Sequence, residues 1–113
     1  MQTPLRITFH QLEPSPALEA GIRSSVDDLE KVFDGIVSCH VVVEAPHRHH
    51  HEGWLYQCRI ELGVPGDHLV VGNAPDADAS HADPHVALRD AFLGARRQLE
   101  DYVHRLRARR HAR

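Results

Sequence analysis

The chain has 113 residues, of which 42% are hydrophobic and 26% are charged. This length and composition fit one compact domain and exclude both two separate cores and a largely disordered chain. No apolar run approaches the ~20 residues that span a bilayer, and the N-terminus lacks the pattern of a signal peptide. We therefore expect a cytoplasmic protein with a single domain over residues 1–110 and a flexible basic tail at 111–113.

The N-terminal third of the chain predicts a strand and a helix. Apolar and polar side chains alternate in LRITFHQ (5–11), which is typical of a half-buried strand. Ser15 suits a helix N-cap, and Pro16 suits the first helical position. The buried stripe of this helix should consist of Leu18, Ile22, Val26, Leu29 and Phe33. Gly35 is expected to end the helix in the left-handed conformation.

Three strands are predicted after this helix. Runs rich in β-branched and aromatic residues are typical of strands. Such runs occupy 36–45, 54–62 and 68–73. PHRHHHEG (46–53) separates the first two runs, and Pro65-Gly66 marks a turn before the third. Cys39 and Cys58 lie inside the apolar runs, so we expect reduced thiols in the core.

The last predicted element is a helix from Pro84 to about residue 108, with Asp83 as its N-cap. Its apolar stripe consists of Leu88, Phe92, Ala95, Leu99, Val103 and Leu106. The order β-α-β-β-β-α predicts an α+β two-layer sandwich with a four-stranded sheet in the order 1-2-3-4. Both helices should cover the sheet face that carries Ile7, Val41, Cys58 and Ile60. The other sheet face should be polar and open to water.

The formal net charge of −3 hides an asymmetry along the chain. Residues 1–88 contain 5 Lys or Arg and 13 Asp or Glu, whereas residues 89–113 contain 8 Arg and 3 acidic residues. An acidic body with an arginine-rich end is typical of a protein that binds a polyanion, and RNA is the first candidate. A solvated helix end explains the same charges, so this pattern alone leaves both interpretations open.

Four histidines crowd into HRHHHEGW (47–54), where the second and third strands must turn. A zinc site needs about four converging ligands held by further contacts, which a hairpin tip does not readily supply. A polar tip is therefore favoured, followed by an RNA contact and then by a metal site. The RNA contact would use His47, Arg48, His49 and His50, and the weak metal candidates are His49 and His51.

The remaining histidines do not indicate catalysis. His10, His40 and His68 should share the open sheet face, where ordinary surface residues are favoured over a metal patch. In HADPH (81–85), a capping role for Asp83 is simpler than a catalytic or metal pair. The sequence contains no nucleophile elbow, no P-loop and no HExxH helix. We therefore expect no enzymatic activity and no cofactor.

Three segments, in order and spacing, are similar to one known family. They are LRITFHQLEPSPALEAGIRSSVDDLEKVFDGI, SCHVVVEAPHRHHHEGWLYQCRIEL and HADPHVALRDAFLGARRQLEDY. They resemble the first strand and helix, the central hairpin with its histidine-containing tip, and the last helix of the short ribosome hibernation promoting factors. This family is also called ribosome-associated protein Y or sigma-54 modulation protein. The resemblance covers nearly the whole chain.

The resemblance implies a non-enzymatic factor with a fold like that of double-stranded-RNA-binding domains. Such factors bind the 16S rRNA of the small ribosomal subunit in the channel for mRNA and tRNA. They regulate translation during stress by silencing and protecting idle 70S ribosomes. The resemblance also implies the short form, which lacks the C-terminal domain through which the long forms dimerise ribosomes.

By this resemblance, basic residues of both helices should contact the rRNA backbone, without reading its sequence. The expected rRNA-binding residues are Arg23, Lys31, Arg89, Arg96, Arg97, Arg105 and Arg107. The chain departs from the family at Gly94, where lysine is frequent, and at Asp101. Two alternatives stay open: a dimerisation module that uses the open sheet face or the edge strand 68–73, giving a weak homodimer, and a histidine-rich metal-binding protein.

Overall fold

The helices and strands of the computed structural model follow the predicted order, β-α-β-β-β-α. The structure describes residues 1–49, 53–72 and 83–111, and at 46–49, 53–55 and 111 it describes the backbone alone. The elements are β1 (Arg6–His10), α1 (Pro16–Val32), β2 (Ser38–His49), β3 (Gly53–Val64), β4 (Asp67–Gly72) and α2 (Pro84–His111). The last two residues, 112 and 113, which belong to the predicted basic tail, lie outside the described residues.

The strands form one sheet in the predicted order, β1-β2-β3-β4. β1 is parallel to β2, and the two other pairs are antiparallel. Ile7 lies opposite Val41, Val41 opposite Ile60, and Ile60 opposite Val71, so an apolar row crosses all four strands. Side chains from both helices pack on this face in one core. The α+β two-layer sandwich is therefore confirmed.

The start of α1 is as predicted, but its end is not. The Ser15 Oγ accepts a hydrogen bond from the Leu18 backbone N–H at 3.2 Å, as an N-cap should. At the other end, Phe33 has an extended backbone with φ of −154°, and Gly35 does not adopt the left-handed conformation. That prediction was wrong. Gly35 instead gives room to the Phe33 ring, which would lie 2.5 Å from a Cβ at this position.

The start of α2 confirms Asp83 as a cap. Its carboxylate accepts a hydrogen bond from the His85 backbone N–H at 2.8 Å, and its carbonyl accepts from Val86 and Ala87. The predicted apolar stripe is buried or partly buried along the whole helix. The sequence did not single out Tyr102, which is also buried on this face.

The hairpin between β2 and β3 is longer than the sequence indicated. Residues 46–53 were expected to interrupt the strands, but β2 continues to His49 and β3 begins at Gly53. His47 pairs with Leu55 and His49 with Gly53, after a register shift between Glu44 and His47. Pro46, which has no N–H to donate, falls inside this bulge, so the ladder can resume beyond it.

Two helical glycines differ in the room that they leave for a side chain. A Cβ at Gly94 would lie 2.9 Å from Val71 Cγ1, whereas one at Gly21 would make an ordinary 3.7 Å contact with Leu88. We expect Gly21→Ala to stabilise the fold by roughly 0.5–1 kcal/mol through helix propensity. Gly94→Ala should destabilise it, since overpacking costs about 1–3 kcal/mol. Urea unfolding of both variants tests this, and equal stabilisation would show that the Gly94 contact is loose.

Both thiols are expected to be inert while the protein is folded. Burial, and to a lesser extent the Glu30 carboxylate, raises the pKa of Cys39 from 9.0 to about 12. Burial and the neighbouring Cys39 raise the pKa of Cys58 to about 12 as well. Only a thiolate attacks a disulfide reagent, so labelling at pH 8 should be slow until denaturant is added. Because the folded pKa values are raised, the stability should be intact below pH 9 and should fall as the pH rises from 9 towards 12.

Rapid labelling of the native protein at pH 8 would contradict this burial. The variants Cys39→Ala and Cys58→Ala assign the reaction to one thiol or the other, because each leaves a single sulfur to titrate.

Candidate nucleic-acid interface

The basic residues of α2 lie on two flanks of the helix. Arg89, Arg96 and Arg107 are separated by 7 and 11 residues, which are close to whole numbers of helical turns. All three line grooves that α2 shares with α1. We call this line of arginines the α1-side flank. It extends for about 27 Å at 1.5 Å per residue.

A second cationic flank faces the turn between β3 and β4. Arg105 and Arg109 lie there, beside Pro65 and Gly66. Arg97 is exposed and follows Arg96 by 100° around the helix, so it points away from the sheet. The structure therefore groups Arg89, Arg96 and Arg107 and sets Arg97 and Arg105 apart from them.

The two basic residues predicted on α1 also separate. Lys31 lines the same groove as Arg107 and Arg110, at the C-terminal ends of both helices. Gly21 faces Leu88 of α2, so Arg23, two residues further on, lies about 200° around the helix and away from α2. The sequence had not placed Arg110 in the predicted site. Its position beside Lys31 could be found only from the packing of the two helices.

The cations of this surface are exposed and weakly paired. Arg89 lies 3.8 Å from Asp90, Arg96 lies 3.9 Å from Glu100, and Lys31 lies 3.7 Å from Asp28. Exposed pairs of this kind contribute roughly 0–1 kcal/mol, so a phosphate can replace the carboxylate at little cost. Among the described residues, Arg97, Arg105 and Arg107 form no ion pair. The surface is therefore available to an anionic partner.

A groove of about 310 Å³ separates α1 from α2 near the start of the α1-side flank. Leu88 and Phe92 form its floor, and Leu93 stands at its rim with 56% of its surface exposed. Arg89 and Arg96 border it on the α2 side. Gly21, Ser25 and Asp28 form the α1 wall.

The open sheet face carries hydrogen-bonded pairs. His40 lies 2.8 Å from the Thr8 hydroxyl through Nε2 and 3.2 Å from Glu61 through Nδ1. His10 lies 3.1 Å from Glu44. These bonds link β1, β2 and β3 across the face that no helix covers.

The metal alternative finds no support in the part of the chain that the structure describes, where no three His, Cys, Asp or Glu side chains converge as ligands would. The side chain of His49 and the whole of His50 and His51 lie outside that part, as do the side chains of His47 and Arg48. Their predicted contacts with RNA or metal therefore stay predictions.

The dimer alternative also stays a prediction. Val70 is the one large apolar side chain exposed on the described open face.

The fold and the α1-side flank define a small β-α-β-β-β-α protein with a cationic helix surface. The chain matches the family model described as Sigma 54 modulation protein / S30EA ribosomal protein over residues 5–107, and it belongs to this family of ribosome-associated factors. This confirms the resemblance seen in the sequence. It is not a known enzyme family. None of the helices in the described residues is long and apolar enough to cross a membrane.

Two solved structures share the fold. The N-terminal domain of Protein Y from Thermus thermophilus aligns with a TM-score of 0.69 at 17% identity, over 88% of this chain and 99% of that one. A ribosomal subunit interface protein from Coxiella burnetii aligns with a TM-score of 0.66 at 15% identity, over 87% and 94% respectively. No curated protein matches the sequence.

Proposed function

We propose that this protein is a cytoplasmic hibernation factor that inhibits translation. It binds the 16S rRNA of the small ribosomal subunit in the channel for mRNA and tRNA. In doing so it silences and protects idle 70S ribosomes. Family membership supports the ribosome as the partner, and the name of the Coxiella relative refers to a ribosomal subunit interface.

The observation that carries the proposal is the α1-side flank of α2. Arg89, Arg96 and Arg107 present guanidinium groups along about 27 Å of one helix face, and Lys31 adds a charge at its far end. Such a line can contact successive phosphates and release their counterions, whatever the base sequence. The bidentate geometry of arginine suits phosphate oxygens. A folded rRNA surface is recognised in this way, through its shape and backbone.

The proposed mechanism is occupancy, with no chemical step. A rigid sandwich placed in the channel would prevent mRNA and tRNA from binding there. The rigidity comes from one continuous core that joins both helices to the sheet. Arg105 and Arg109, on the other flank of α2, would let the end of this helix contact rRNA on two sides.

Co-sedimentation of the purified protein with separated subunits and 70S particles tests the proposal. We expect comigration with the small subunit and with 70S particles at low salt, and a steep loss of binding as salt is raised. Migration with the large subunit alone, or retention at the top of the gradient at both salts, would refute the proposal. In that case the dimer hypothesis would become the first to test, by measuring the mass of the protein against its concentration.

A further inference from the structure

The groove between α1 and α2 has features that phosphate binding alone does not require. Its floor is apolar, from Leu88 and Phe92, and Leu93 is one of two large apolar side chains exposed among the described residues. The leucine between the two arginines offers an apolar contact that phosphates do not use. Leu93 lies four residues after Arg89 and three before Arg96, so all three share one helix surface.

We propose that this groove holds an unpaired nucleobase of the bound RNA, while Arg89 and Arg96 hold the phosphates on either side of it. This inference rests on the proposed function, because it names how the same surface grips its RNA. The base would lie on Leu93 and Phe92, and its ribose would lie at the α2 rim. Stacking of bases on apolar and aromatic side chains is a general way to bind unpaired RNA.

The charges around the groove match a nucleotide better than a peptide or a bare anion. Two guanidinium groups stand on the α2 side and the Asp28 carboxylate stands on the α1 side. The carboxylate repels phosphate, so the backbone is kept at the arginines. It also accepts hydrogen bonds, which the amino and imino groups on the edge of a base can donate. Lys31, at 3.7 Å from Asp28, is an exposed partner that a base can replace.

The size of the groove fits one base. A volume of about 310 Å³ is at the lower end of the range for small-molecule sites, roughly 300–1,000 Å³. The α1 wall leaves this space because Gly21 has no side chain and Ser25 has a small one. A larger residue at Ser25 would fill the groove without removing either arginine.

The neighbouring serines of α1 provide a matched pair of variants. Ser25→Phe places a ring in the groove, whereas Ser24→Phe places the same ring on the exposed side of α1, about 100° away. Leu93→Ala is a third variant, which removes the apolar side chain on which the base would lie. Because Leu93 is exposed, this change leaves the core unchanged. The affinity of each protein would be measured by fluorescence anisotropy for a short unstructured RNA and for an abasic ribose-phosphate chain of equal length.

We expect the wild-type protein and Ser24→Phe to bind the RNA about tenfold more tightly than the abasic chain, the gain that one stacked base provides. Ser25→Phe and Leu93→Ala should lose this preference and keep the abasic affinity. Equal binding of both chains by the wild-type protein would overturn the inference. If Ser25→Phe lowered the affinity for the RNA and for the abasic chain by the same factor, the inference would also be overturned, because the groove would then bind phosphates and not a base.

The experiments distinguish a failure of the proposed function from a failure of the inference about the groove. If the protein co-sediments with small subunits but shows no dependence on bases, the function stands and the groove holds no base. If Ser25→Phe weakens small-subunit binding while RNA and abasic chain bind equally, the groove takes a protein segment and the inference fails. Binding to subunits with no binding to short RNA also counts against it, since base insertion needs no folded partner. If neither subunits nor RNA bind, both proposals fail.

Discussion

Replacing Arg96 and Arg97 by glutamate is expected to lower the affinity for small ribosomal subunits by at least about 100-fold. Each charged hydrogen bond to phosphate contributes roughly 1.5 kcal/mol or more, and the new carboxylates would repel the phosphates that remain. Both side chains are exposed, and the lost Arg96–Glu100 pair contributes little to stability. The variant should therefore fold normally. Co-sedimentation at low salt measures the loss.

A control variant with the same change of net charge distinguishes the loss of direct contacts with rRNA from the effect of the overall charge on binding. Arg6 and Arg59 are exposed on the open sheet face, opposite the helices. Arg6→Glu/Arg59→Glu should bind within a few-fold of the wild-type protein. Equal losses in the two double variants would mean that net charge, and no particular surface, governs binding.

A third double variant maps the footprint along α2. Arg105→Glu/Arg109→Glu removes the flank that faces the turn between β3 and β4 and leaves the α1-side flank intact. If RNA contacts both flanks, this variant loses affinity as well. If it binds like the wild-type protein, the interface is confined to the side of α2 that faces α1.

The order of the elements could be predicted because each one carries a strong local signal. Ser15 and Asp83 are caps whose side chains bond the first turn of the helix in the structure. The apolar stripes of α1 and α2 recur at helical spacing, and the strands alternate in polarity. These signals depend on neighbours within a few residues, so they do not need the tertiary structure.

The errors arose where distant contacts decide the local structure. Gly35 suggested a left-handed stop, but the Phe33 ring, which packs edge-on against Tyr102, requires the open space there. The segment from Pro46 to Gly53 was expected to interrupt the strands, but β2 and β3 remain paired as far as His49 and Gly53, after a bulge at Pro46. Neither the ring contact nor the continued ladder has a signature in the sequence of one segment.

The sequence predicted the kind of partner that the candidate site binds but not how the residues of the site are arranged. The excess of arginine after residue 88 indicated a polyanion as partner. The helical spacing fixes which arginines share a flank, but only the packing of α1 beside α2 shows that Arg89 and Arg96 border a groove and that Arg23 points elsewhere. Leu93 was outside the predicted apolar stripe, in agreement with its exposure, but its place beside that groove could not be inferred from periodicity.

Tyr102→Ala is expected to produce a large loss of stability, about 3–5 kcal/mol. The Tyr102 hydroxyl donates a hydrogen bond of 2.6 Å to the Pro65 carbonyl, and its ring meets the Phe33 ring edge-on with centroids 5.5 Å apart. It thus joins α2 to the turn between β3 and β4 and to the end of α1. The free energy of unfolding of a domain of this size is about 5–15 kcal/mol, so the variant should be close to unfolding at 37 °C. Urea denaturation at 25 °C measures the change.

Two further variants divide this loss between the bond and the ring. Tyr102→Phe removes only the hydroxyl, and because Pro65 is exposed, water can satisfy its carbonyl; the cost should be about 0.5–1 kcal/mol. A double-mutant cycle of Tyr102→Ala with Phe33→Ala should give a coupling of about 0.5–1.5 kcal/mol for the ring pair. A loss in Tyr102→Phe as large as in Tyr102→Ala would mean that the hydrogen bond, and not the packing, fixes α2.

The same variant connects stability to the proposed binding. Arg105 and Arg107 follow Tyr102 by three and five residues, so the contacts of Tyr102 fix the position of the cationic end of α2. Tyr102→Phe keeps the ring and every arginine, and its ribosome binding should equal that of the wild-type protein while its stability is measurably lower. A loss of binding in this variant would show that the hydroxyl itself contacts the ribosome or orients the arginines beside it.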